Sequence, residues 1–384
     1  MQPIAPEEFA QRRERLRVLA RKAGLSAVLI NSESNHRYFT GHWSGRWTSR
    51  SRPIFLVISV EGDPVVSCSV VEQQTAEMSA QGCRVKVSRA SGYDLEQPIT
   101  DLAEVLRELG LDDAAIGVEF GVHHRPQIPP GGYEKLKERL PQLRYADASG
   151  LLWQLRMRKS SSEVARIRRA IEITDRMYAT APEWLSTMRT EREAYIHITR
   201  QMLEFGGDHT GYVNVLADTT TELAGGFTDR PFRNGRLIYI DAGCIVDGYW
   251  ADHARIFCRG EPDAAAQAMY RKLWDVTEQM IEAVKPGVPL RSIYTLALDG
   301  IERATGTRPM LGRVGHSMGL DMPEPPSICK EEDLILDEGV VLNIEPSMRV
   351  PGLGTLIAEE VVVVTENGCE LLTKRAPQAI PNVA

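Results

Sequence analysis

Two periods of apolar spacing run along this chain, and they divide it into two parts. Glu7 to Lys22 carries Phe9, Leu16, Leu19 and Ala20 at helical spacing, with Gly24 beyond as a stop. Ala27 to Ile30 is a continuous apolar run of strand length. Pro53 to Val60 and Pro64 to Ser69 form two more strands around Glu61-Gly62-Asp63. A helix over Leu102 to Leu109 and a strand over Ala115 to Val118 follow. Helix and strand alternate, which predicts an α/β first domain over residues 1–150. The pattern changes near Asp147 to Arg158. Ser160 and Glu163 form a capping box ahead of an amphipathic helix bearing Val164, Ile167, Ile171 and Met177. Thr190 and Glu193 form a second box for a helix reaching Phe205. Asp263 opens a third helix with Met269, Leu273, Val276, Met280 and Val284, which Pro286-Gly287 stops. Leu290 to Ala304 is a fourth, with Gly306 past its end. Helices backing strands predict an α+β second domain over residues 151–384.

The chemistry concentrates in Leu237 to Phe257. Apolar residues lead up to Asp241, Asp247-Gly248 follows as a tight-turn signal, and a second apolar run contains Asp252. With Asp247 and Gly248 as central turn residues, Gly243 faces Asp252 across the ladder. Asp241 then shares a face with Asp252, roughly 5–8 Å away at Cβ. Two carboxylates in an apolar sheet are costly to bury without a cation between them. A second stretch repeats the plan. Val340 to Ile344 is a buried-strand pattern ending at Glu345, Pro351-Gly352-Leu353-Gly354 is a turn, and Thr355 to Thr365 carries Glu359 and Glu360. Glu345 and Glu359 are symmetric about Gly352, so a hairpin sets them opposite each other. Gly315-His316-Ser317-Met318-Gly319 lies between the hairpins. Two Asp, two Glu and one His suit a pair of divalent ions such as Mn, Co, Fe or Zn.

These residues, in the order Asp241, Asp252, His316, Glu345, Glu359, resemble the metal shell of the creatinase, prolidase and aminopeptidase P family. Tyr38-Phe39-Thr40-Gly41 is similar to a stretch of that family's N-terminal domain. The resemblance implies a pita-bread catalytic domain of two pseudo-symmetric halves, preceded by the smaller α/β domain. It implies a metal-dependent hydrolase, manganese among its candidate ions, and a homodimer. It puts the fifth ligand at Glu359 rather than Glu360, a choice the local pattern leaves open. It also gives Glu345, in Ile-Glu-Pro, the role of accepting a proton from water and passing it to the leaving group.

The resemblance breaks around the substrate. Peptide-cleaving members carry further histidines about seventeen residues before the first metal Asp, seven after the metal His and four before it. Here Thr219 to Phe227 contains no His, and Pro323 and Gly312 stand at the other two positions. Asp252-His253-Ala254-Arg255 has Ala where the family pattern has Thr. His209 and His253 are candidates to supply an imidazole from another direction, and Glu324 is a further acid/base candidate. Arg255, Trp47 and Asp321 are the substrate-binding candidates. Trp47 lies in the polar loop Gly41 to Arg52, which reads either as a solvated loop or as a lid. Arg255 is also expected to pair with an acidic group near the metals.

Composition narrows the choices further. The net charge of −7, with no long basic run, argues against nucleic acid as a partner. No apolar run approaches about 18 residues, so a membrane span is not expected. The N-terminus lacks an apolar leader core, and six scattered cysteines without a Cys-x-x-Cys read as free thiols. Both point to the cytoplasm. The expected function is hydrolysis of an amide C–N bond in a small peptide-like substrate. The alternatives are a metal-dependent lyase or hydrolase of a small non-peptide metabolite, similar to dimethylsulfoniopropionate lyase, and a binding module on the same fold.

Overall fold

The computed structural model describes residues 3–49, 51–88, 95–220, 226–309 and 312–383. Five positions of the histidine-free segment, 221–225, lie outside these. The chain divides into a unit ending at Arg156 and a unit beginning at Met157.

The first unit is built on six strands: β1 (Ala27–Ile30), β2 (Phe55–Ser59), β3 (Val65–Ser69), β4 (Arg84–Ser88), β5 (Ala115–Val118) and β6 (Arg144–Asp147). Their order in the sheet is β4-β3-β2-β1-β5-β6. Only β2 runs antiparallel to its neighbours. The helix Glu96–Glu108 starts earlier than the pattern suggested, and it packs Ile99, Leu102, Val105 and Leu106 against Leu29, Val57 and Val65. The helix Pro6–Lys22 buries Phe9, Leu16 and Ala20 as expected, but also Arg12 and Arg13. Their guanidiniums donate to the carbonyls of Tyr38 and Phe39 at 2.9 and 2.6 Å. Those carbonyls end the helix Glu33–Thr40, where unpaired acceptors and the helix dipole both favour a cation.

The second unit holds two sheets. One contains β7 (His209–Leu216), β8 (Leu237–Val246), β9 (Tyr249–Trp250), β10 (His253–Arg259) and the short β18 (Asn382–Val383). The other contains β11 (Arg313–Ser317), β12 (Glu324–Cys329), β13 (Val341–Ile344), β16 (Glu360–Thr365) and β17 (Gly368–Leu371). A ribbon of β14 (Ser347–Val350) and β15 (Gly354–Ile357) extends the second hairpin. The helices Ala264–Ala283 and Leu290–Thr305 contribute Leu273, Met280 and Ile301 to one apolar core with Ile256, Val314, Leu342 and Val362. This core joins the two sheets and fixes the hairpins relative to each other.

Local signals act here as the sequence indicates. Ser160 and Glu163 close a reciprocal capping box on the helix Ser161–Ala179. At Thr190 the box is half formed. The threonine hydroxyl accepts from the Glu193 amide, while the Glu193 carboxylate takes the amide of Arg189 instead. Gly306 ends its helix in the left-handed conformation at φ 74°.

Both acidic hairpins form. Asp247 and Gly248 have φ of 50° and 81°, the left-handed pair that a two-residue turn of this type needs. Val246 pairs with Tyr249, and the same register continues to Ala242–His253 and Asp241–Ala254. Gly243 therefore stands opposite Asp252, where the ladder opens. The close approach explains the glycine, since a Cβ at 243 would lie 1.7 Å from the Ala251 carbonyl oxygen. In the second hairpin, Ser347–Ile357 and Ile344–Glu360 are pairs of one register. That register sets Glu345 across from Glu359.

Candidate metal centre

Asp241 comes from β8, Asp252 from the opening before β10, His316 from β11, Glu345 from the end of β13 and Glu359 from the start of β16. Single carboxylate oxygens of Asp241, Asp252 and Glu359 all lie within 4.8 Å of one another. His316 Nε2 stands 3.6 Å from Asp252 Oδ2 and 3.8 Å from Glu345 Oε1. The five residues form one connected, largely buried group. His316 Nδ1 lies 3.0 Å from the carbonyl oxygen of Ser317. Nδ1 must donate to that acceptor, which leaves the Nε2 lone pair facing the carboxylates.

Neighbouring donors hold the carboxylates. The amide nitrogen of Asn343 donates to Glu359 Oε1 at 2.6 Å and to Asp252 Oδ2 at 3.3 Å. The backbone of Ala254 donates to Glu359 Oε2 at 2.8 Å, and the Tyr239 hydroxyl to Asp241 Oδ2 at 2.9 Å. These donors do not offset the burial. Burial pushes the Asp241 carboxyl up to about 6, against the downward pull of Tyr239. It pushes Glu345 up to about 7, with Arg313 opposing and Asp241 adding. Burial first, and then the neighbouring anions, hold Asp252 and Glu359 well above the ordinary carboxylate range. Asp241 Oδ1 and Asp252 Oδ1 are buried with no hydrogen-bond partner among the described residues. Unpartnered buried oxygens beside an imidazole lone pair fit divalent cations, which supply the missing positive charge.

The remaining candidates lie elsewhere or are already engaged. Glu360 points away from the group. It accepts from Arg375 and Ala376 at 2.8 Å each and from Arg255 at 3.2 Å. Arg255 is corrected as a substrate contact. It is buried, and it donates to Glu360 and to the carbonyls of Ala254, Glu359 and Lys374, so it braces the strand that carries Glu359. His209 is corrected as a catalytic imidazole. It pairs with Ile245 at the far end of β7, whereas Asn214 pairs with Asp241, and five strand residues span roughly 16 Å. His253 is turned to Asp175, with Nε2 at 3.0 Å from Oδ1. Glu324 is corrected as an acid/base group. It is fully buried, pairs with Lys159 at 3.1 Å and accepts the Asp321 amide at 3.0 Å. Asp321 is half-buried in the β11–β12 connection. Trp47 is buried within the first unit, its ring edge-on to His36, and it is not an exposed lid residue. Trp43 is the exposed tryptophan of that loop.

Sequence reasoning passed over Asn343, Tyr239 and Tyr178 as site residues. The Tyr178 hydroxyl lies 3.1 and 2.8 Å from the carbonyls of Ile240 and His253 and ties the two ligand strands together. The signal for Asn343 was there to be read, because an amide inside an apolar strand needs a partner.

Two acidic hairpins and one imidazole are gathered on a two-domain pita-bread fold, and their donor set is one that could hold metal ions. The chain belongs to metallopeptidase family M24, whose model matches residues 165–366, and its residues 12–158 match the creatinase/prolidase N-terminal domain. It is 27% identical over 350 residues to an uncharacterized peptidase of Staphylococcus aureus, covering 90% of this chain and 94% of that one. Among solved structures it is similar to dipeptidase PepE from Mycobacterium ulcerans, with TM-score 0.83, 25% identity and full coverage of both chains. It is also similar to a dipeptidase from Pyrococcus horikoshii, with TM-score 0.83 and 25% identity over 96% of this chain and 99% of that chain. The chain is accordingly a metallopeptidase-type hydrolase, and its family implies divalent metal ions. Among the described residues, no helix is long and apolar enough to cross a membrane.

Proposed function

We propose that this chain hydrolyses the amide C–N bond of a small Xaa-Pro-like peptide, with two divalent ions held by Asp241, Asp252, His316, Glu345 and Glu359. The observation that carries the reading is the convergence of these five donors, with His316 Nε2 within 4 Å of both Asp252 and Glu345. Such ions, once bound, lower the pKa of water and polarise a carbonyl. Glu345 is the proton carrier. Its side chain is the more open one of its pair with His316, within reach of water and of a departing nitrogen. It takes the proton of the attacking water and returns it to the departing nitrogen. Asn343 and Ala254 orient Glu359, and Tyr239 orients Asp241. Mn, Co, Fe and Zn all suit this donor set, and we place the enzyme in the cytoplasm as a homodimer.

Gly312 and Pro323, where the resembled peptidases carry histidines, favour a second reading as a lyase or hydrolase of a non-peptide metabolite. The test is a screen of metal-loaded protein against Xaa-Pro dipeptides and small zwitterionic metabolites, with Glu345→Gln alongside. The peptidase reading expects dipeptide cleavage that falls about 10²–10⁴-fold in Glu345→Gln. Turnover of the metabolites alone, or cleavage unchanged by Glu345→Gln, would overturn it.

A further inference from the structure

We infer that Lys159 is a positioning residue of the metal centre. Its buried ammonium, paired with Glu324, fixes the aim of His316 through Ser317 and the approach of Asp252 through the β11–β12 connection. This rests on the metal reading above and deepens it by naming what holds two of the ligands in place. His316 sits where its own ladder is irregular. The register between β11 and β12 shifts between Arg313 and His316, and again between His316 and Ser317. Such irregularity re-aims a side chain and disrupts the local ladder bonds. The pair that follows is Ser317 with Glu324, and Lys159 spans it. Its Nζ donates to Ser317 Oγ at 3.0 Å and to Glu324 Oε2 at 3.1 Å. The Lys159 and Glu324 side chains are each 1% exposed, and Ser317 is buried with them. The Ser317 carbonyl is also the acceptor that His316 Nδ1 faces. The residue that Lys159 pins is therefore the one that turns His316 Nε2 toward the carboxylates.

A second arm runs through Glu324. Its Oε1 accepts the Asp321 amide at 3.0 Å. The Asp321 carbonyl accepts the Gly319 amide at 3.0 Å, and the Gly319 carbonyl accepts the Trp250 amide at 2.9 Å. Trp250 lies on the first acidic hairpin, two residues before Asp252. A Cβ at Gly319 would stand 2.8 Å from Glu324 Oε1, so the carboxylate lies directly against the connection it holds. Lys159 is itself anchored, since its amide donates to the Gly339 carbonyl at 2.8 Å just ahead of β13. One ammonium thus ties the imidazole strand to the hairpin that carries Asp252. Charge does not account for it. A cation beside a site for divalent ions opposes them, and Glu324 cancels that charge. What the pair supplies is geometry.

The test replaces the pair whole. Lys159→Met/Glu324→Gln keeps the net charge of wild type, so a change in metal affinity does not come from added or removed charge. Ser317→Ala removes one arm alone, and Leu273→Ala in the two-helix core is the control for lost stability. Metal-free protein is titrated with Mn²⁺ by calorimetry. Nitrogen NMR of the imidazole rings, on metal-free protein at alkaline pH, reads the His316 tautomer, assigned by its absence in His316→Gln. The double variant binds Mn²⁺ about 10- to 100-fold more weakly, the range for groups that orient a ligand. Ser317→Ala binds about fivefold more weakly, the worth of one hydrogen bond, and Leu273→Ala binds as wild type does. His316 keeps its proton on Nδ1 in wild type and in Leu273→Ala, and shifts toward the Nε2–H form in the double variant. Wild-type affinity or a wild-type tautomer in the double variant would overturn the inference. So would an equal loss of affinity in Leu273→Ala, which would trace the effect to general destabilisation. If the double variant does not fold, Ser317→Ala carries both readouts under the same criteria. If wild type binds no Mn²⁺, the metal reading falls, and the tautomer alone then decides whether Lys159 sets the aim of His316.

Discussion

Gly243→Ala is the smallest change that should dismantle the metal centre without touching a ligand. The added methyl would stand 1.7 Å from the Ala251 carbonyl oxygen, with the Asp252 nitrogen 2.9 Å away. Folded proteins do not hold a Cβ closer than 3.0 Å to another heavy atom, so the backbone around Ala251 must retreat by about 1.3 Å. Asp252 follows Ala251 directly and moves with it. Metal–ligand distances tolerate about 0.2 Å, so a shift several times larger removes Asp252 as a ligand in its present geometry. Disturbing groups that only orient a ligand costs 10- to 100-fold in metal affinity, and losing a ligand costs at least the upper figure. Calorimetric titration of metal-free protein with Mn²⁺ should show affinity weakened by about 100-fold or more. Far-ultraviolet circular dichroism should stay close to wild type, because the Asp247-Gly248 turn and the two-helix core are untouched. A Gly243→Ala protein that binds Mn²⁺ as tightly as wild type would refute the reasoning, since Asp252 would then not depend on that close approach.

Two further outcomes follow from groups outside the metal centre. Lys159→Met leaves Glu324 buried without its cation, and breaking such a pair costs about 3–5 kcal/mol, readable as a lower urea midpoint; Lys159→Met/Glu324→Gln should recover part of this, and a midpoint unchanged in the single variant would show the pair to be dispensable. His36 is fully buried beside His42, and burial followed by that neighbour holds its imidazole well below the ordinary value of 6.5. The folded chain therefore keeps His36 neutral while the unfolded chain takes up a proton near pH 6.5, so stability is lost as pH falls below that point, by up to about 1.4 kcal/mol per pH unit. Urea unfolding between pH 7.5 and 5.5 should show this slope reduced by about one proton in His36→Gln, and equal slopes in the two proteins would contradict it.

The register of both hairpins was readable because tight turns fix it. Asp247-Gly248 demands a two-residue loop, and every pair from Val246–Tyr249 to Asp241–Ala254 then follows. Glu359 against Glu360 was not readable. Both sit in a continuous apolar stretch, and what separates them is the Arg255, Thr373 and Arg375 cluster that receives Glu360, from residues over a hundred positions back and some fifteen ahead. His209 looked available because a histidine near a ligand strand gives no sign of which end of its own strand it occupies; the register places it at the wrong end. The burial of Arg12 and Arg13 is not visible in the spacing of their own helix because the carbonyls they satisfy belong to another helix. For Trp47, composition alone leaves a solvated loop and a lid both open. Its burial against His36 depends on the chain folding back through a short 3₁₀ turn, Gly45–Thr48, which period counting does not register.

If five separated donors hold a pair of cations, the stoichiometry of metal bound to purified, reconstituted protein, measured by elemental analysis after dialysis, shows it. Wild type should hold two divalent ions per chain, Asp252→Ala and Glu359→Ala should each lose at least one, and His209→Ala should keep both. Wild type that retains no divalent ion, or ligand variants that keep the full complement, would contradict it.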